Sequence, residues 1–167
     1  MQFVSRRGFV AASASSLLLL SAYAPPASAQ AAHEIVHLLK ATFDRAEAPL
    51  SVEPVVIVGD HAVAGWSQEG RGGRALMRKV KDKWTIHLCS GDSLRHAAVL
   101  KDTGVPEAQA AELAKTLATE EAKLPKDKVA LFGTFQGTVM IGPDGHHPPT
   151  EHGAHAPPAG HHAPRHK

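Results

Sequence analysis

Apolar positions along the chain recur first at helical spacing, then at strand spacing, then at helical spacing again. A helix is predicted near His33–Asp44, with Ile35, Val36, Leu39 and Phe43 on one face and His33, His37, Lys40 and Asp44 on another. Pro49 ends that pattern, and four strands follow. Val52–Val58 is a near-continuous apolar run closed by Gly59-Asp60, a two-residue hairpin turn. Ala62, Ala64 and Trp66 alternate along a second strand. Glu69-Gly70-Arg71-Gly72-Gly73 reads as a flexible turn, and Leu76–Val80 as a third strand. After Lys81-Asp82-Lys83 a fourth strand carries Trp84, Ile86 and Leu88 on one side. Connections this short join antiparallel neighbours, since parallel pairing needs a long crossover.

Beyond the strands, Asp92 is predicted to N-cap a short helix to about Leu100, stopped near Gly104. Pro106-Glu107 opens a longer helix to Lys123, with Ala110, Leu113, Ala114, Leu117 and Ala118 on its apolar side. A last strand is expected at Val129–Phe132 or at Gly137–Met140. Residues 33–140 are therefore expected to form an α+β domain, a small antiparallel β-meander covered by helices on one face.

Residues 141–167 follow no such pattern. From Gly142 to Lys167 there is no Leu, Val, Ile or aromatic residue, but six Pro, four Gly and seven His. Such a segment cannot bury enough apolar surface to offset the entropy of ordering, so a disordered tail is expected.

The first 29 residues read as an export signal. Ser5-Arg6-Arg7-Gly8-Phe9 precedes a weakly apolar run, Val10 to Leu20, too short to span a bilayer, and Ala27-Ser28-Ala29 supplies a small-residue cleavage site before Gln30. The Ser-Arg-Arg-x-Phe order is of the twin-arginine type. A periplasmic protein with no membrane insertion after signal removal is expected. The chain's net charge of +2 equals the contribution of Arg6 and Arg7. The remainder is balanced, and a nucleic-acid partner is excluded on that ground. One cysteine excludes a disulfide framework within the chain and a four-cysteine metal site.

Histidine carries the chemistry. His146, His147, His152, His155, His161, His162 and His166 lie in the tail, and neutral imidazoles are good ligands for copper(II), zinc or nickel. Bringing two His-His pairs 15 residues apart together costs only about 2 kcal/mol in loop closure. His33-Glu34-Ile35-Val36-His37 matches H-E-x-x-H, in which two histidines one turn apart hold zinc and the glutamate activates water. The extended metzincin spacing fails, with Lys40 in place of Gly and Phe43 in place of the third His. His33 and His37 therefore remain a metal pair without hydrolysis, or two solvated side chains. His87 and Cys89, at i and i+2 of the fourth strand, are expected on one face, a pairing suited to copper(I) or zinc. The competing view of Cys89 is a small buried hydrophobe. Gly70-Arg71-Gly72-Gly73-Arg74 lacks the ending of a phosphate-binding loop.

The stretches Ala41-Thr42-Phe43-Asp44-Arg45, Pro54-Val55-Val56-Ile57-Val58-Gly59-Asp60, Ala62-Val63-Ala64-Gly65-Trp66, Gly70-Arg71-Gly72-Gly73-Arg74-Ala75-Leu76 and Trp84-Thr85-Ile86-His87-Leu88-Cys89-Ser90-Gly91-Asp92 resemble the bacterial periplasmic copper uptake system-associated protein family. The resemblance covers most of residues 32–135 and leaves the tail outside. It implies a setting in copper acquisition, with a copper importer or periplasmic copper chaperone as partner, and carries no ligand set of its own. A non-enzymatic accessory protein that binds, buffers or delivers copper is expected. The rivals are an interaction module without a metal site in its folded domain, a zinc or nickel buffer, and an enzyme using His33, Glu34 and His37 or a ligand pocket of the α+β domain.

Overall fold

Alanines ahead of His33 are strong helix formers, and helix α1 runs from Ala27 to Phe43, starting earlier than the periodic pattern placed it. In this computed structural model residues 27–141 are described. Apart from Ala27–Ala29 and Ile141, the expected export signal and tail lie outside those residues. Ile35 and Leu39 are buried, while His33, Glu34, His37 and Lys40 stay exposed, as the two-faced pattern requires.

Strands β1 (Ser51–Val58), β2 (His61–Gln68), β3 (Arg71–Val80) and β4 (Lys83–Ser90) form the antiparallel meander. The expected turn at 69–73 is confined to Glu69-Gly70, with φ of 51° and 72°. Lys81 and Asp82 take φ of 48° and 62° in the next turn. Two consecutive left-handed residues give a hairpin whose twist matches that of its strands.

Arg71, Gly72 and Gly73 thus belong to β3, and the glycines serve close approach and not flexibility. A Cβ on Gly72 would stand 2.6 Å from the Trp66 carbonyl oxygen and 3.1 Å from that of Leu131. Its amide donates to Thr134 Oγ1 at 2.9 Å, which pins the later connection onto the sheet. Gly72→Ala is expected to cost about 1–3 kcal/mol, because both close neighbours are backbone. A urea midpoint equal to that of the parent protein would refute this.

After β4 the chain makes a 3₁₀ turn, Asp92–Arg95, and two helices, α2 (Ala97–Asp102) and α3 (Glu107–Glu121). Asp92 is not the N-cap that the sequence suggested; it sits inside the turn, and no side chain caps either short helix. Of the two places expected for a last strand, 129–132 falls largely in helix α4 (Lys126–Leu131), and β5 (Thr138–Met140) pairs with β4. Ile141 is buried and its amide donates to the His87 carbonyl at 3.0 Å, so the folded unit extends one residue into the expected tail.

Helices cover both faces of the sheet, not one. Ile35 and Leu39 of α1 pack with Ala62, Ala64, Met77 and Ile86. On the other side Leu100, Leu113 and Leu117 pack with Val56, Val63, Leu76 and Leu88. The central strands are apolar at successive positions, which demands burial on both faces. No helix among the described residues is long and apolar enough to cross a membrane.

One polar group crosses this core. Arg74 of β3 is fully buried and grips Glu121, at the end of α3, through Nε to Oε1 at 2.7 Å and Nη2 to Oε2 at 3.0 Å. Its Nη1 donates to the Gly91 carbonyl at 3.2 Å and to Asp92 Oδ1 at 3.1 Å. The guanidinium also lies 5.4 Å from the centre of the Phe132 ring. This fork ties β3, the 3₁₀ turn and α3 together.

Candidate functional site

The β3–β4 register decides the fate of the expected His87–Cys89 pair. Leu76 is opposite Leu88, but the next residue, Met77, is opposite Ile86, so β4 carries one extra residue at His87. A bulge of this kind reverses the alternation of side chains beyond it. Trp84 and Ile86 face the α1 side, whereas Leu88 joins the α2–α3 side, against the expectation that all three share a side. Cys89 returns to the α1 side. His87 is directed to the opposite layer, where its Nε2 accepts from Arg78 Nη2 at 3.3 Å. The backbone therefore separates the two expected ligands.

Burial and then the neighbouring Arg78 guanidinium lower the His87 pKa from its ordinary value. The same Arg78 nitrogen donates to the Thr103 carbonyl at 3.1 Å, and His61 Nδ1 lies 2.9 Å from Gln109 Oε1 beside this cluster. The consequence for stability has a definite sign. The unfolded chain protonates His87 near the ordinary histidine value, about 6.5, and the folded chain only at lower pH. The contribution is thus complete above that value and is lost as pH falls through the folded pKa. Tm is expected to decline between pH 7 and pH 5, with a shallower slope in His87→Gln. Equal slopes in the two proteins would show that His87 does not contribute.

Cys89 lies in the wall of a cavity of about 180 Å³ between the end of α1 and the sheet. Phe43, Trp66 and Phe135 supply aromatic walls, and Leu50 and Ile141 line the rest. Trp66 and Phe135 meet edge to face, with ring centres 5.5 Å apart. Gln68 fixes the rim by donating through Nε2 to the Phe43 carbonyl at 3.0 Å and the Ala48 carbonyl at 2.7 Å. Asp44 Oδ1 accepts from the Leu50 amide at 2.5 Å and holds the same loop. Burial pushes the Cys89 thiol up to about 12, so at neutral pH it is an uncharged thiol. Nucleophilic chemistry needs the thiolate, so this environment suits Cys89 as wall and not as attacking group.

A wider cleft adjoins the cavity, sharing Trp66, Gln68 and Phe135 with it and adding Arg45, Glu69, Arg71 and Gln136. Arg45 and Glu69 pair at 2.5 Å, while Arg71 is exposed and makes no ion pair among the described residues. The neighbouring Arg74 is turned inward to Glu121, so the glycine–arginine segment does not present two guanidinium groups to one ligand.

His33 and His37 stand one turn apart on the exposed face of α1, next to Glu34, whose Oε1 accepts from Gln30 at 3.2 Å. Among the described residues no group of three or more His, Cys, Asp or Glu side chains is placed to hold a metal ion. His146, His147, His152, His155, His161, His162 and His166 lie outside the described residues. Sequence reasoning missed the cavity and the Arg74–Glu121 pair. The second had a signal: Glu121 follows Leu113 and Leu117 at intervals of four on the apolar stripe of α3. The first had none, because Phe43, Leu50, Trp66, Phe135 and Ile141 come from five separate segments.

Comparison with protein-family models, with curated proteins and with solved structures returned no match for the chain.

Proposed function

We propose that this is an exported, non-enzymatic accessory protein of copper uptake, which captures copper through its C-terminal histidines and buffers it or delivers it to an importer or chaperone. The observation that carries this reading is the composition of residues 142–167, seven histidines with no large apolar residue. An all-imidazole donor set suits copper(II), zinc and nickel, and among them the intrinsic affinity order places copper(II) first. The twin-arginine type N-terminus and the resemblance of the middle of the chain to copper uptake system-associated proteins support the same setting.

The folded domain serves in this reading as the unit that docks the uptake component. Its last described residue, Ile141, is anchored in the core, so the histidine segment is joined directly to a fixed point of the domain. His33 and His37 offer an accessory pair of imidazoles on the exposed face of α1. Copper loading of the full chain beside a chain lacking 142–167, together with the copper content of cells carrying each, tests the proposal. A zinc or nickel buffer would instead change the cellular content of those metals and leave copper as it was.

A further inference from the structure

The cavity beside Cys89 has a chemistry that copper capture does not use. Its walls are almost wholly apolar and its volume is about 180 Å³. An apolar cavity of about 150 Å³ is enough to hold benzene. Trp66 lines it through its ring, since the indole Nε1–H is fully buried and not open to the cavity. The adjoining cleft, which shares Trp66, Gln68 and Phe135 with the cavity, holds the exposed Arg71, while Arg45 and Glu69 neutralise each other. The cleft therefore keeps one net positive charge. Cys89, held as a neutral thiol in the wall, does not oppose an anion.

We propose that this cavity and the cleft beside it bind a single-ring aromatic carboxylic acid, the ring among Phe43, Trp66 and Phe135 and the carboxylate toward Arg71. Two features select this class. Aromatic walls and a one-ring volume favour the ring, and the Arg71 guanidinium, which makes no ion pair among the described residues, calls for an anion. The site is independent of the histidine tail, and its failure would leave the copper proposal untouched.

Phenylacetate is the probe, titrated calorimetrically into the full chain, with phenylacetamide as its neutral counterpart. Phenylacetate is expected to bind saturably and more tightly than the amide. Arg71→Gln, at an exposed position that the core does not depend on, is expected to weaken phenylacetate roughly five- to tenfold and to leave the amide unchanged. Cys89→Leu, which fills part of the cavity, is expected to abolish binding of both; its thermal transition reports whether it is folded. No saturable binding by the parent protein overturns the proposal. Equal affinity for acid and amide, unaltered by Arg71→Gln, overturns the assignment of an acid. Binding that survives in a folded Cys89→Leu protein overturns the assignment of the cavity.

Discussion

Replacing Glu121 by leucine is expected to lower the stability of the domain by about 3–5 kcal/mol, the usual cost of removing one partner from a buried ion pair. Arg74 is fully buried and Glu121 is 2% exposed, so neither charge can turn to water when the other is lost. The stranded guanidinium would keep its contacts with the Gly91 carbonyl and Asp92, but its two shortest bonds, both to Glu121, would be gone. Domains of this size have a net stability of only about 5–15 kcal/mol, so the loss is a large fraction of the total. A fall in Tm on the order of 15 °C should accompany it. The pair Arg74→Met and Glu121→Leu should cost clearly less than the sum of the two single changes, because no charge then remains buried. Urea denaturation of the four proteins of this cycle measures the coupling. A single Glu121→Leu cost within 1 kcal/mol of zero would show that the fork does not hold β3 to α3.

The second large effect concerns metal. A chain lacking residues 142–167 is expected to lose most of its bound copper, because seven of the twelve histidines go with that segment. At three or four imidazoles per ion, those seven account for about two ions per chain. The loss should be steepest above pH 6.5, where imidazoles are neutral and free to coordinate. What remains should be weak and should fall further when His33 and His37 are both replaced by alanine, since a pair one turn apart supplies only two ligands. Tm of the shortened chain in the absence of metal should match that of the full chain, with Ile141 retained. Equilibrium dialysis against copper at fixed pH gives the stoichiometry directly. Unchanged loading would move the site into the folded domain and remove the main support for tail-based capture.

Much of the architecture was legible because it rests on period and turn chemistry. Four strands joined by short turns could only be an antiparallel meander, and the Pro106-Glu107 start and the Leu113–Leu117 stripe announced α3. The glycines at 72 and 73 were misread, since the same residue type marks a flexible turn and a place where two backbones nearly touch. Only the position of Leu131 and Phe135 over β3 distinguishes the two cases. Helices on a second face were likewise missed, although successive apolar residues in Ala62-Val63-Ala64 and Ala75-Leu76-Met77 pointed to burial on both sides.

The expected pairing of His87 with Cys89 shows where local reasoning stops. Strand alternation puts residues two apart on one face, and a single extra residue in β4 cancels it. That bulge places His87 under Arg78 and Thr103 and sets Cys89 in an apolar wall, giving the two side chains opposite surroundings. What the sequence by itself determined is everything that depends on neighbours along the chain: the order and type of most elements, the exposed histidine face of α1, and the density of imidazoles after residue 141. What only the tertiary structure decided is everything that depends on meeting across the sheet: the Arg74–Glu121 fork, the register that parts His87 from Cys89, and the cavity. Those meetings join residues tens of positions apart, so their energies are set by packing that no local pattern encodes.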